Sequence, residues 1–593
     1  MRNPYQPAWW TNAVVYQIYT RSFADTSGDG VGDLTGIINH LDYLSELGVD
    51  VLWLSPIHQS PQHDNGYDIS NYRRIDALYG TEEEFDRLLT EVHGRGMKLI
   101  MDLVVNHTSD EHSAFLVSSS SRTNVSRDSY FWRDPRRGFS PDEPGAEPNN
   151  WGSIFGGSAW TYDPVTEQYY LHLFSPHQPD LNWESTRVRR RVYDMMNWWL
   201  DRGIDGFRMD AINFISKRPS LPDSPVSAGG MYADGSPYFV SGPRVHEFIQ
   251  EMMRAVFSYR DGEYLVVGET DGVTVDEAVL FTDPLRGELD MVFHFEHMRL
   301  DQGAGGKWNH LPMKLQDLKS IWNRWQRALA DRGWNSLYLG NHDQPRSVSR
   351  FGNDTEYRYE SATLWATLLH LQRGTPFIYQ GEEIGMTNAG FTSLDQYRDV
   401  ESLALYEFAL SRGIAPERVL AILNRVSRDN ARTPMQWNDG PNAGFTTGTP
   451  WIDVNANYPG LNVEADRAAE RSVFRYYQRL IALRHASPVV ALGDFELVDP
   501  GDPSLFAFRR RLGGEELSVL CNVSDEPLEV SAYLRPNQLV LGNYSEPGDP
   551  GLLRPWEARV HRLSGPTPLS GPTPLSGPTP PSGPMPSPGG DPD

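Results

Sequence analysis

Short apolar runs recur along the chain at intervals too long for hairpins: Val14–Tyr19, Val49–Pro56, Lys98–Val105, Gly206–Ala211, Tyr264–Gly268, Asp290–Phe295, Ser336–Leu339 and Pro376–Tyr379. Runs this uniformly apolar predict strands buried on both faces, the habit of a parallel sheet. Segments with helical periodicity lie between them: Leu34–Leu47, Glu82–Val92, Thr186–Leu200, Val245–Val256, Leu315–Ala328, Ser361–Leu371 and Glu470–Leu483. Eight such strands alternating with helices predict an α/β chain closed into a (β/α)8 TIM barrel. The alternative, an open doubly wound sheet, should carry a glycine-rich phosphate turn after its first strand. Ser22 to Gly36 is rich in Asp and Gly but has no G-x-G-x-x-G.

Two gaps break the rhythm, about 80 residues between the third strand and its helix and about 90 after the eighth strand. Both fall on the C-terminal face of a barrel, where sites are built. The pattern therefore divides the chain into barrel residues 1–106, an inserted domain at 107–174, and the rest of the barrel at 175–488, with a subdomain at 385–468 between strand 8 and helix 8. From about residue 489 to 563, short alternating runs (Leu505–Arg509, Leu517–Asn522, Leu528–Ala532, Arg559–Leu563) predict a C-terminal antiparallel β domain. Residues 564–593 repeat S-G-P-T-P-L; that composition predicts a disordered, dispensable tail.

Composition narrows the partners. Lys plus Arg number 53 against 78 Asp plus Glu, a net charge of −25 that disfavours nucleic acid and anionic membranes and suits a neutral substrate. The single cysteine, Cys521, excludes an intramolecular disulfide framework. No signal-peptide pattern opens the chain and no apolar run is long enough to span a membrane, so the expectation is a cytoplasmic protein with no implied protein partner.

In a barrel, chemistry gathers where strands end. The third strand ends Asp102-Leu-Val-Val-Asn106-His107, the fourth Gly206-Phe-Arg208-Met-Asp210-Ala211, the fifth Gly268-Glu269-Thr270, and the seventh is followed by Asn341-His342-Asp343-Gln344. Acids, an arginine and two histidines thus converge on one face from four strands. Three carboxylates at one site suit cleavage of a glycosidic bond: one attacks the anomeric carbon, one protonates the leaving oxygen, and one steadies the oxocarbenium-like charge. Arg208 shares a strand face with Asp210 and would hold it ionised, while neighbouring carboxylates would keep Glu269 protonated. The chain has no G-x-S-x-G elbow for acyl transfer.

At these residues the sequence resembles the α-amylase family, glycoside hydrolase family 13, from Trp9 to about Leu563. Its four signature regions stand here as DLVVNH, GFRMDAINF, GET and NHDQPR, in order and at barrel spacing. The resemblance implies Asp210 as nucleophile, Glu269 as acid/base and Asp343 as transition-state stabiliser. It also implies His107, Arg208 and His342 around the non-reducing glucose, with Asp102 in support. Asp64 and Tyr67, in Asp64-Asn-Gly-Tyr67, resemble the pair that grips the terminal sugar, which implies a closed, exo-acting pocket. Phe174, Gln178 (in QPDLNW), GEEIGMTN, Tyr397-Arg398-Asp399 and SRDNARTPMQW resemble the α-glucosidase and oligo-1,6-glucosidase branch. Arg432 is similar to the arginine bordering the leaving-group subsite there.

In that branch a valine after the nucleophile goes with α-1,6 cleavage and a smaller residue with α-1,4. Ala211 therefore leans toward maltose-like α-1,4 substrates. The expectation is a retaining α-glucosidase acting on short oligosaccharides or disaccharides, with transfer to sugar acceptors open. The alternatives are an oligo-1,6-glucosidase or a glucosyltransferase or sucrose isomerase of the family, and more remotely a non-catalytic carbohydrate-binding or scaffold protein. Sucrose isomerases resemble Arg299-Leu300-Asp301 but continue Arg-Asp, where this chain has Gln302-Gly303. No organic cofactor is expected. Asp25, Ser27, Asp29 and Asp33, with the Val31 carbonyl, resemble the first two-thirds of a calcium loop, though Gly36 stands where that loop has Glu. A structural Ca²⁺ is the expectation, and an acidic turn without metal the alternative.

Overall fold

The computed structural model describes residues 7–225, 232–304, 306–534, 537–546 and 548–563; the repeat tail lies outside the described residues. The apolar runs form eight parallel strands: β1 (Val15–Ile18), β2 (Val51–Leu54), β3 (Lys98–Val104), β4 (Gly206–Asp210), β5 (Leu265–Glu269), β6 (Met291–Phe293), β7 (Ser336–Leu337) and β8 (Thr375–Tyr379). They hydrogen-bond in the order β6-β5-β4-β3-β2-β1-β8-β7. A parallel bridge between Val292 in β6 and Asn335 just before β7 joins the two ends, so the sheet is a closed barrel.

Helices α1 (Leu34–Asn39), α2 (Leu41–Leu47), α3 (Glu82–Gly94), α4 (Thr186–Arg202), α5 (Val245–Phe257), α6 (Val275–Thr282), α7 (Leu315–Ala328), α8 (Arg358–His370) and α9 (Val473–Ala486) follow the strands. Local chemistry sets their ends. Thr81 and Glu84 form a reciprocal capping box at the start of α3, and Gly203, at φ +113°, stops α4. Two features depart from the helical pattern in the sequence. The single helix predicted over Leu34–Leu47 breaks at His40, which sits at φ −112°, ψ 11°, with its ring stacked on Trp437 at 3.8 Å and Nδ1 2.7 Å from the Gly36 carbonyl. The fifth barrel helix, α6, carries too short an apolar stripe to stand out by period; its mark is the Thr274–Glu277 capping box.

After β3, the chain builds a three-stranded antiparallel sheet from Trp132–Arg133, Trp160–Asp163 and Gln168–Leu171. Its core joins Phe131, Trp151, Trp160 and Leu173 to Ala211, Phe214, Leu221 and Phe239, so the segment after β4 packs into it. After β8, helices Val400–Ser411 and Pro416–Val426 pack around Phe391, Tyr397 and Leu423. These two additions wall the C-terminal end of the barrel.

Beyond α9 lies a five-stranded sheet that begins with β9 (Asp494–Val498), β10 (Leu505–Leu512) and β11 (Glu515–Asn522), all antiparallel. Alternation splits β10 between two cores: Phe506 and Phe508 join the barrel's hydrophobic core, and Leu505 and Ala507 a separate one. Buried Lys319 of α7 pins this sheet, donating to the carbonyls of Asp499, Asp502 and Leu505 at 2.9, 2.6 and 3.0 Å. Among the described residues, no helix is long and apolar enough to cross a membrane.

Candidate active site

Asp210 and Glu269 are the last residues of neighbouring strands β4 and β5, and Asp102 pairs with Arg208 across β3 and β4. Strand register therefore brings all four to one end of the barrel. Arg208 is the hub: Nη1 lies 2.5 Å from Asp102 Oδ1 and 2.8 Å from Asp210 Oδ1, and Nη2 lies 2.6 Å from Glu269 Oε1. The guanidinium is buried and 5.2 Å from the Trp53 ring. Trp53 and Tyr67 also donate to Asp102, at 3.2 and 3.1 Å.

The chain turns sharply after Asp210. Ala211 adopts φ 41°, ψ 38°, and its N–H donates to Glu269 Oε2 at 3.1 Å. One turn thus presents Asp210 and orients Glu269.

Asp343 lies in the loop after β7. Its carboxylate faces His342 Nε2 at 3.2 Å, Arg428 Nη1 at 3.2 Å and Arg432 Nη2 at 2.7 Å. His342 is fixed by Gln17 Nε2 at 2.8 Å from Nδ1 and by the Tyr67 hydroxyl at 2.7 Å from Nε2, with the Tyr67 ring stacked on it at 5.2 Å. Gln178 donates to Asp64 at 3.0 Å, and its Nε2 is 3.2 Å from His107 Nε2. Phe174 packs on His107 with centroids 5.1 Å apart. Asp64, Tyr67, His107, Gln178 and His342 are buried, whereas the side chains of Asp210, Glu269 and Asp343 keep 11%, 15% and 26% exposure.

Burial raises both central carboxyls, Asp210 to about 6 and Glu269 to about 8; Arg208 opposes this in each case. Asp210 and Asp343 add their repulsion at Glu269. The sequence reading made neighbouring carboxylates the cause of a protonated Glu269 and placed Arg208 against Asp210 alone. In the structure desolvation is the larger cause, and Arg208 touches both. Asp343 behaves oppositely: burial works to raise it, but His342, Arg428 and Arg432 together hold it well below the ordinary carboxylate range. Burial depresses His107 to about 4, so it meets a ligand as a neutral ring.

The structure thus brings together Asp64, Tyr67, His107, Phe174, Gln178, Arg208, Asp210, Ala211, Glu269, His342 and Asp343. Arg432 joins this set through Asp343. It is 1% exposed, with Nε on the His342 carbonyl at 2.9 Å and Nη2 on Asp343 Oδ1 at 2.7 Å. Sequence reasoning missed Arg428, which also pairs with Asp399 at 2.5 Å and approaches Asp64 Oδ1 at 3.6 Å. The signal was present, since Arg428 and Arg432 are one helical turn apart in the SRDNARTPMQW segment.

The loop Asp25–Asp33 lies apart from this set. Asp25 accepts from Gly28 and Gly30 N–H at 2.9 and 2.8 Å, and Gly30 sits at φ +93°, the sharp sixth-position turn of a calcium loop. A Cβ on Gly30 would fall 1.8 Å from the Thr449 carbonyl oxygen. Asp25, Ser27, Asp29 and the Val31 carbonyl line this turn, but among the described residues the Asp25, Asp29 and Asp33 carboxylates do not gather into a three-ligand cluster. The Asp33 carboxylate caps the Thr26, Ser27 and Gly36 N–H groups, and Asp25 also accepts from the Ser27 hydroxyl.

The family profile described as alpha amylase, catalytic domain, matches residues 17–493. The chain belongs to the α-amylase family. An oligo-1,6-glucosidase from Parageobacillus thermoglucosidasius is 54% identical over 94% of this chain and 99% of the relative. Among solved structures, trehalose-6-phosphate hydrolase from Bacillus licheniformis superposes with a TM-score of 0.87 at 45% identity, covering 94% of this chain and 100% of that one. Isomaltulose synthase from Klebsiella sp. LX3 gives 0.89 at 42%, covering 94% and 99%. Within the α-amylase family the chain falls in the α-glucosidase branch, and it is a glycoside hydrolase.

Proposed function

We propose that the protein is an exo-acting α-glucosidase that works by double displacement with retention, releasing glucose from the non-reducing ends of short α-glucosides. The observation that carries this reading is the seating of Asp210 and Glu269 on neighbouring nitrogens of one Arg208 guanidinium, beside a pocket end closed by Asp64, Tyr67, His107, Gln178 and His342. Sharing one small cation favours the short carboxyl separation of retaining enzymes, about 5–5.5 Å, over the about 6.5–9.5 Å of inverting ones.

In the first step an Asp210 oxygen bonds the anomeric carbon as its bond to the aglycone breaks, and Glu269 gives its proton to the departing oxygen. In the second, Glu269 takes a proton from water, whose oxygen attacks that carbon and releases Asp210; a sugar acceptor in place of water gives transglucosylation. Asp343, held ionised by the His342 ring, Arg428 and Arg432, stabilises positive charge at the sugar ring. The small Ala211 side chain beside the reacting pair favours α-1,4 substrates such as maltose. Relatives named oligo-1,6-glucosidase support α-1,6 specificity as the second reading. Initial rates on maltose, isomaltose and sucrose separate the two: faster turnover of maltose is expected, and preference for isomaltose would replace the first with the second. Calcium in the Asp25–Asp33 loop is proposed as a structural ion without a part in these steps.

A further inference from the structure

Among the described residues, a cluster of metal-ligating atoms stands outside the sugar-binding set. His63, Asp110 and His177 each place a ligand atom within 4.8 Å of the others. They come from three loops: His63 directly precedes Asp64, Asp110 follows His107 by three residues, and His177 directly precedes Gln178. His177 Nδ1 lies 2.8 Å from Asp110 Oδ2. The rings of His63 and His177 lie face to face, centroids 3.7 Å apart with 10° between their planes. The backbone holds the arrangement: Asp110 N–H donates to the His177 carbonyl at 3.0 Å, and His63 N–H to Asp68 at 2.9 Å.

A lone histidine–aspartate contact is an ordinary partly exposed ion pair. A second imidazole laid against it, from a third loop, adds nothing that such a pair needs but supplies a third ligand. The geometry points to a site for a divalent first-row transition ion of the Zn²⁺ class, held by His63, Asp110 and His177 at the outer edge of the sugar pocket. Two imidazoles and one carboxylate suit zinc better than calcium or magnesium, which take oxygen ligands. Ligands about 2.0–2.1 Å from a tetrahedral zinc stand about 3.3 Å apart, so the His177–Asp110 contact opens by about half an ångström. Exposed His63 swings out of its stack to direct a nitrogen at the ion, and the partial exposure of His177 and Asp110 leaves the fourth position to water. The net charge of −25 draws cations to this surface. A bound ion would tie together the three loops that carry Asp64, His107 and Gln178. The site does not depend on the glucosidase reading, and its test reads metal binding directly.

Full-length protein, stripped by a chelator and dialysed, is titrated with ZnCl₂ by calorimetry, and its thermal unfolding is followed with and without zinc. The wild type is expected to take up one equivalent with a Kd in the micromolar range and to gain thermal stability. His63→Ala and His177→Ala are each expected to weaken that equivalent at least tenfold, with the circular dichroism spectrum unchanged. CaCl₂ should give no stabilisation that depends on His63. Absence of zinc binding in the wild type, or the same equivalent at the same Kd in both variants, would overturn the proposal.

Discussion

Burial works against negative charge on Asp210 and on Glu269 alike, and their remaining neighbours separate them. Each faces two further carboxylates (Asp102 and Asp343 at Asp210, Asp210 and Asp343 at Glu269), but Asp210 also has a hydrogen bond from Arg208 that helps hold it ionised. The pair therefore titrates with apparent values of about 6 and about 8, the lower mainly at Asp210. A bell-shaped pH dependence of kcat/KM follows, rising as Asp210 ionises and falling as Glu269 loses its proton. A profile still rising beyond pH 9 would contradict that order. The same burial has a cost in stability. The folded chain keeps a proton on Glu269 that the unfolded chain gives up near pH 4.5, so stability falls as pH rises from there toward about 8. Glu269→Gln removes the penalty. Its melting temperature should exceed the wild type's at pH 8, and the gap should close at pH 4. At Asp343 the decisive neighbours are His342, Arg428 and Arg432, and Arg428 is the one that also approaches Asp64. Arg428→Ala should lower kcat/KM on maltose about 10²-fold, the scale of losing one preorganised electrostatic contact, while the protein remains folded by circular dichroism.

The turn that ends β4 does two jobs at once. Ala211 sits in the left-handed region, where a β-branched side chain is strained, and its N–H holds Glu269. Ala211→Val would add bulk beside the reacting bond and strain this turn. The ratio of maltose to isomaltose turnover should fall about tenfold, the scale of a small apolar change in a specificity pocket; an unchanged ratio would remove Ala211 as a determinant of linkage. At this scale the strands were legible because both of their faces are buried, with every residue of β1, β2, β4 and β8 inside the protein. Helix α6 was not, since eight residues give periodicity little room. The kink at His40 depends on Trp437, roughly 400 residues away, a tertiary contact that no local pattern announces. Motif residues fixed on strand ends could be assigned to the site from sequence. The choice between Arg428 and Arg432 could not, because one precedes and the other ends the same short helix and only packing decides which reaches Asp64.

Across the whole molecule, the barrel gathers residues from 17 to 432 into one site, and the C-terminal sheet braces its outside through Lys319 and the Phe506–Phe508 face. The last described strand ends at Leu563, and the repeats that follow lie outside the described residues. Deleting residues 564–593 should leave kcat/KM within about twofold of the full chain. With calcium in the Asp25–Asp33 loop, EGTA should lower the melting temperature while turnover at 25 °C stays unchanged; a melting temperature indifferent to EGTA and to added CaCl₂ would leave that loop an acidic turn. The His63–Asp110–His177 cluster could not be read along the chain, since it is assembled from loops far apart in sequence.

The glucosyl–Asp210 bond is open to direct observation. Glu269→Gln protein is incubated with α-glucosyl fluoride, whose leaving group needs little acid assistance, so that the covalent intermediate forms and then lacks the base that would hydrolyse it. Mass spectrometry of the digested protein should find one glucosyl group, on the peptide carrying Asp210. A glucosyl group on any other residue, or an unlabelled protein that still consumes the fluoride, would contradict double displacement at Asp210.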